Sequence, residues 1–132
     1  MKIILDTNFL IYCAKNRRDF AEEIRDLVSG KYTLVVPSQV IAELERLKTY
    51  RKEKVSGKDK MAIDLALQLI EKFKSEGLLK IETLKGDVVD DAIIELSRED
   101  PKNIVATLDR EMRQILGRVI LINRNGRLML TR

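Results

Sequence analysis

Two stretches of this chain, Ile3-Ile4-Leu5-Asp6 and Ile104-Val105-Ala106-Thr107-Leu108-Asp109, share one device: an apolar run too short for a helix that stops on a carboxylate. Such a run reads as a strand buried on both faces, and strands of that kind belong to a parallel sheet covered by helices. The carboxylate then stands at the carboxyl edge of the sheet, where open α/β folds bind their ligands.

The sequence between them keeps the alternation. Residues 32–36 and 119–122 are rich in β-branched residues, residues 78–84 are a shorter candidate, and residues 128–130 add an edge strand after the Asn125-Gly126 turn. Helical patterns fall between them. Asn8 is the expected cap of a helix over 8–14, and a second helix covers 19–29 until Gly30. Ser38 is the expected cap of a third, with Val40, Ile41, Leu44 and Leu47 as its apolar stripe. The longest covers 59–76 and is apolar around much of its circumference, which predicts burial against the sheet or a partner subunit. Asp90-Asp91 opens another, and the last runs from Asp109 to Gly117. The expected fold is α/β, a three-layer α/β/α arrangement around a mostly parallel sheet, with residues 1–132 as a single domain.

Composition narrows the chemistry. The chain has no histidine and one cysteine, which removes His-based acid/base catalysis, Ser-His-Asp triads and ordinary zinc sites. Cys13 lies in an apolar run and reads as a buried structural thiol. No Gly-x-Gly-x-x-Gly follows the first strand and no Gly-Lys-Ser/Thr occurs, so the usual nucleotide cradles are missing. No apolar stretch approaches the roughly 18 residues of a membrane span, and the amino terminus lacks a signal-peptide core, so a cytoplasmic protein without a membrane is expected. Carboxylates must carry any catalysis.

Acidic residues at four places in the chain can meet at one edge of such a sheet. Asp6 and Asp109 follow strands, Glu43 lies in the first turns of the helix after another, and Asp90 with Asp91 opens a helix. Each has a plainer reading: Glu43 as a solvated helix residue, Asp90 and Asp91 as helix-terminal carboxylates, which stabilise by roughly 0.5–2 kcal/mol without chemistry. Gathered together, they repel one another and lose solvent unless a cation neutralises them. All-oxygen ligation suits Mg²⁺ or Mn²⁺, with Thr7, Asn8 and Thr107 as donors that orient the carboxylates. Such ions can activate water and stabilise a leaving oxygen in phosphodiester hydrolysis.

The net charge of +4 permits nucleic acid as a partner. Its clearest concentration is the tract containing Lys48, Arg51, Lys52, Lys54, Lys58 and Lys60, read either as a solvated connection or as a phosphate-contacting arm. Tyr50 is its one aromatic, so base stacking there is not supported.

Leu-Asp-Thr-Asn, Val-Pro-Ser-Gln-Val-Ile-Ala-Glu-Leu, Asp-Asp-Ala-Ile-Ile-Glu-Leu and Val-Ala-Thr-Leu-Asp-Arg-Glu, in this order, resemble the successive motifs of PIN-domain ribonucleases over nearly the whole chain. The resemblance implies metal-binding acidic roles for Asp6, Glu43, Asp91 and Asp109, with Asp90 as the close competitor of Asp91 and Glu111 where many members carry a further aspartate. It also implies a metal-dependent endoribonuclease, often a homodimer. Within the family the chain looks most like small archaeal relatives of the ribosomal-RNA-processing endonuclease, with ribosome-assembly partners. The alternatives are a toxin-type nuclease held by an antitoxin and a non-catalytic module that binds RNA or protein.

Overall fold

The short apolar runs read as strands fold as strands, and the helical patterns between them fold as helices. The computed structural model describes residues 1–49 and 57–131, with the elements β1 (Lys2–Leu5), α1 (Thr7–Lys15), α2 (Phe20–Leu27), β2 (Thr33–Pro37), α3 (Ser38–Lys48) and α4 (Gly57–Ser75). These are followed by β3 (Leu79–Glu82), α5 (Val89–Arg98), β4 (Ile104–Ala106), α6 (Arg110–Ile115), β5 (Arg118–Ile122) and β6 (Leu128–Leu130).

The described strands form one sheet in the order β3-β2-β1-β4-β5-β6, parallel throughout except for the antiparallel edge pair β5 and β6. From β1 the chain moves outward to β2 and β3, then returns across β1 to β4 and β5. Right-handed crossovers put the helices of these two halves on opposite faces, giving three layers. The reversal occurs between β1 and β4, so their carboxyl ends border a topological switch point.

Burial follows from that topology. Ile3, Ile4 and Leu5 of β1 and Val35 and Val36 of β2 are completely covered, and Phe9, Leu44 and Ile93 cover them from three different helices. In α4 the inward side is Ala62, Ile63, Ala66, Ile70 and Phe73, with Phe73 meeting Phe20 edge to face at 5.1 Å. Met61 on the same helix is 73% exposed, so the apolar character of α4 exceeds what the core uses.

One buried amide sets the start of the central pair. Asn103 Oδ1 accepts from the Lys2 backbone N–H at 2.7 Å and its Nδ2 donates to the Leu96 carbonyl at 2.9 Å, tying β1 and the end of α5 to the residue before β4. Asn103→Ala leaves both backbone partners without that amide and is expected to cost about 1–3 kcal/mol, measured by denaturant unfolding.

Cys13 is buried in α1, and burial, with a smaller contribution from Glu23, pushes its thiol up to about 12. At pH 8 a disulfide reagent is expected to leave the folded protein unlabelled and to titrate the thiol fully after denaturation, read by thiolate release.

Two expected caps differ from the structure. Asp6, not Asn8, caps α1 through a bond from the Thr7 N–H, because the helix begins at Thr7, two residues earlier than a cap at Asn8 allows. Pro37 holds the cap position of α3 without a side-chain bond, and Ser38 lies inside the first turn.

Candidate active site

The carboxyl end of β1 delivers Asp6 into the sheet's switch point at 5% exposure. Its Oδ1 accepts from the Thr7 N–H at 2.8 Å, and its Oδ2 accepts from the Thr107 hydroxyl at 2.8 Å. Burial is the main cause that raises its pKa. The bonds from Thr107 and Thr7 pull it back in part, and the charges of Asp90 and Glu43 add to the rise.

Asp109 is joined to Asp6 through the same hydroxyl. Thr107 Oγ1 accepts from the Asp109 N–H at 3.0 Å while donating to Asp6, so one side chain at the end of β4 locks the two acidic strand ends together. Asp109 also caps α6, its Oδ1 accepting from the N–H groups of Glu111 at 2.9 Å and Met112 at 3.3 Å. Its other oxygen makes no described hydrogen bond.

Asp90 and Asp91 occupy the first turn of α5, where Val88 holds the cap position, so neither aspartate caps the helix. Their surroundings differ. The pKa of Asp90 is raised by partial burial first, then by Asp109 and Asp91. The charge of Asp90 in turn raises Asp6. Glu43 on α3 faces Asp6 closely enough to raise it. Glu111 is exposed on α6 and moves neither Asp6 nor Asp90.

Gln39 is a contributor that sequence reading passed over. It lies one helical turn before Glu43, buried at 6% exposure, and its Nε2 donates to the carbonyls of Leu84 at 2.9 Å and Gly86 at 3.0 Å. The face of α3 that carries Glu43 thereby holds the connection leading to Asp90. Gly86 has a φ of +93°, a left-handed turn that glycine adopts without strain. A polar residue four positions before a carboxylate on one helix face was the available signal.

Among the described residues, none of Asp6, Glu43, Asp90, Asp91, Asp109 and Glu111 is in an ion pair with lysine or arginine. The Thr7 hydroxyl beside Asp6 is buried and has no hydrogen-bond partner among the described residues. Asn8 is exposed and makes no described side-chain hydrogen bond to the acids. No three of the described acidic side chains stand close enough to enclose an ion by themselves. The donor set nevertheless fits a hard cation: its carboxylates make no described ion pair, and Mg²⁺ commonly takes one or two of them and keeps water on its remaining positions.

The basic tract is divided. Arg51, Lys52 and Lys54 lie outside the described residues, while Lys58 and Lys60 are in the first turn of α4, Lys58 lining a groove against α1. No described helix is long and apolar enough to cross a membrane.

Comparison with known proteins gives concordant results. Ribonuclease VapC4 of Methanocaldococcus jannaschii is 37% identical over 115 residues, 87% of this chain and 82% of that protein. In overall shape the chain is similar to the PIN domain endonuclease Utp24, with a TM-score of 0.71 at 21% identity over 99% of this chain and 91% of the other. It is also similar to VapBC2 from Rickettsia felis, solved with a DNA fragment from their promoter, with a TM-score of 0.52 at 16% identity over 92% and 97% of the two chains. Residues 3–124 match the family described as PIN like domain, and the chain belongs to that family.

Proposed function

We propose that this protein is a metal-dependent endoribonuclease that hydrolyses RNA phosphodiesters with Mg²⁺ or Mn²⁺. The observation that carries the reading is Asp6: a carboxylate buried at the switch point, linked through Thr107 to Asp109, facing Glu43 and Asp90, and without a described cationic side chain to neutralise it. A fold bears that electrostatic cost where a cationic ligand offsets it. Family membership and the ribonuclease relative supply the reaction class.

In this reading Asp6, Asp90 and Asp109 hold the ion directly or through its waters, with Glu43 on the opposite wall. When bound, the cation lowers the pKa of water and neutralises charge on the phosphoryl oxygens. Thr107 ties the Asp6 carboxylate to the Asp109 backbone N–H, and the Thr7 hydroxyl offers a further oxygen at the buried end. Glu111 and Asn8, both exposed, are left to the water-filled side of the site. Asp91 modulates Asp90.

The sequence relative favours a toxin-type ribonuclease controlled by an antitoxin, and the VapBC2 likeness is consistent with that fold in such a pair. The processing of ribosomal RNA precursors rests on the motif resemblance, since the likeness to Utp24 concerns the fold. Cleavage of a mixed structured RNA in Mg²⁺, Mn²⁺ or EDTA tests the shared chemistry. Metal-dependent cutting is expected, and intact RNA under all three conditions would refute it. Growth arrest on expression, relieved by Asp6→Asn, selects the toxin reading; accumulation of unprocessed ribosomal RNA in a deletion strain selects the other.

A further inference from the structure

Beside the acidic crevice lies a groove of about 830 Å³ that begins at Asp109 and runs between α6 and the turn joining β5 to β6. Arg110 and Arg113 form one wall, Arg124 stands on the other, and Leu121 and Met129 contribute apolar surface between them. We propose that this groove is the anchoring track for the sugar-phosphate backbone of the RNA strand, its arginines holding phosphates that neighbour the one presented to the acids. The proposal rests on the endoribonuclease reading and adds residues that position its substrate.

Charge separates this groove from its surroundings. All three arginines are exposed, and none is in an ion pair with a described carboxylate. Arg110 and Arg113 are one turn apart on a helix, which places their Cβ atoms roughly 5–6 Å from each other on one side. Guanidinium forks match phosphate oxygens in pairs, so two adjacent forks with a third opposite suit a linear polyanion rather than a single small anion. On the other side of the crevice, the groove of about 400 Å³ at Glu43 sets Arg46 against Glu43 and Asp87, so its charges oppose one another. The strand's anchor therefore falls on the Asp109 side.

The apolar surface of the groove decides what is not read. Leu121 and Met129 offer contact to ribose and base edges, and no aromatic side chain lines the groove for stacking. The arginines therefore carry the binding, through the backbone phosphates.

The test is binding of a labelled unstructured RNA in EDTA, across a range of salt concentrations, by wild type, Arg113→Glu/Arg124→Glu, Arg113→Lys/Arg124→Lys and the control Lys74→Glu/Lys80→Glu. The control carries the same charge change on α4 and β3, away from the groove. Arginine-to-glutamate exchange is expected to weaken binding about tenfold or more at low salt and to lower the salt slope by roughly 0.7 per lost phosphate contact. Exchange to lysine keeps most of the slope. With metal restored, the glutamate variant should show a raised KM and a kcat within about twofold of wild type, the pattern of lost uniform binding. Melting curves matching wild type establish that the variants are folded.

If the wild type cleaves and the arginine-to-glutamate variant binds and cuts as the control does, the groove assignment is wrong and the nuclease reading stands. If the wild type does not cleave under any metal condition while the arginine variant alone loses RNA, the groove stands as a binding track and the nuclease reading falls.

Discussion

Asp6→Asn is expected to remove metal-dependent RNA cleavage, by roughly 10³-fold or more, while the protein stays folded. A loss of that size corresponds to about 4 kcal/mol of transition-state stabilisation, the scale at which a preorganised charged group acts. Asparagine keeps the oxygen that caps α1 through the Thr7 N–H and keeps the volume of the site. Asp109→Asn should behave alike, since its capping oxygen is also preserved. Single-turnover cleavage with Mn²⁺ measures both, and undiminished cutting by either variant would remove that residue from the mechanism.

Stability gives the same substitution a second signature. The folded-state pKa of Asp6 is raised above its ordinary 3.8, so the folded protein holds that proton more tightly than the unfolded chain does. Stability is therefore greatest for this group below the ordinary value and is lost as pH rises through the folded-state value. In EDTA at pH 7 or above, Asp6→Asn should melt at or above the wild-type temperature, and the difference should shrink towards pH 4. A variant less stable than wild type at neutral pH would mean that loss of the bond from the Thr107 hydroxyl outweighs the relief of removing a buried charge.

The second large effect separates neighbours. Asp90→Asn should lower cleavage about 100-fold, whereas Asp91→Asn should stay within about threefold of wild type. Asp90 raises the pKa of Asp6 and is itself raised by Asp109, which ties it to both strand-end acids. Both sit in the first turn of α5, where either carboxylate complements the helix dipole, so loss of that shared contribution costs the two variants equally. Parallel rate and melting measurements isolate the catalytic difference. Equal rates in the two variants would return Asp91 to the ligand set.

Much of the fold was legible because burial on both faces leaves an unmistakable mark. Ile3-Ile4-Leu5 and Ile104-Val105-Ala106 are apolar without alternation, and each is a central parallel strand with an acid at its carboxyl end. The helix starts were less legible. Asn8 and Ser38 have good capping side chains, but the caps went to Asp6 and Pro37, because the strand ends fixed where the backbone could turn. Capping propensity is a local preference, and the sheet overrode it.

Within the site, residue types were readable and partnerships were not. Asp90 and Asp91 are identical in kind and adjacent in sequence, so only the direction in which α5 meets the sheet distinguishes them. Gln39 and Asn103 looked like ordinary polar residues, yet each is buried and holds two backbone groups of other elements or loops. The basic tract drew attention by density, whereas the arginines beside Asp109 are separated in sequence and meet only through the β5–β6 turn.

By itself, then, the sequence determined the alternation of strands and helices, the absence of histidine chemistry, and the set of acids available to a metal, because hydrophobic period and side-chain type are properties of the chain. Tertiary structure alone decided which acids face one another, that one threonine hydroxyl joins Asp6 to Asp109, and where the arginines converge. Those are relations across 101 residues of separation for the Thr107–Asp6 bond, and electrostatics and hydrogen bonding depend on distance in space.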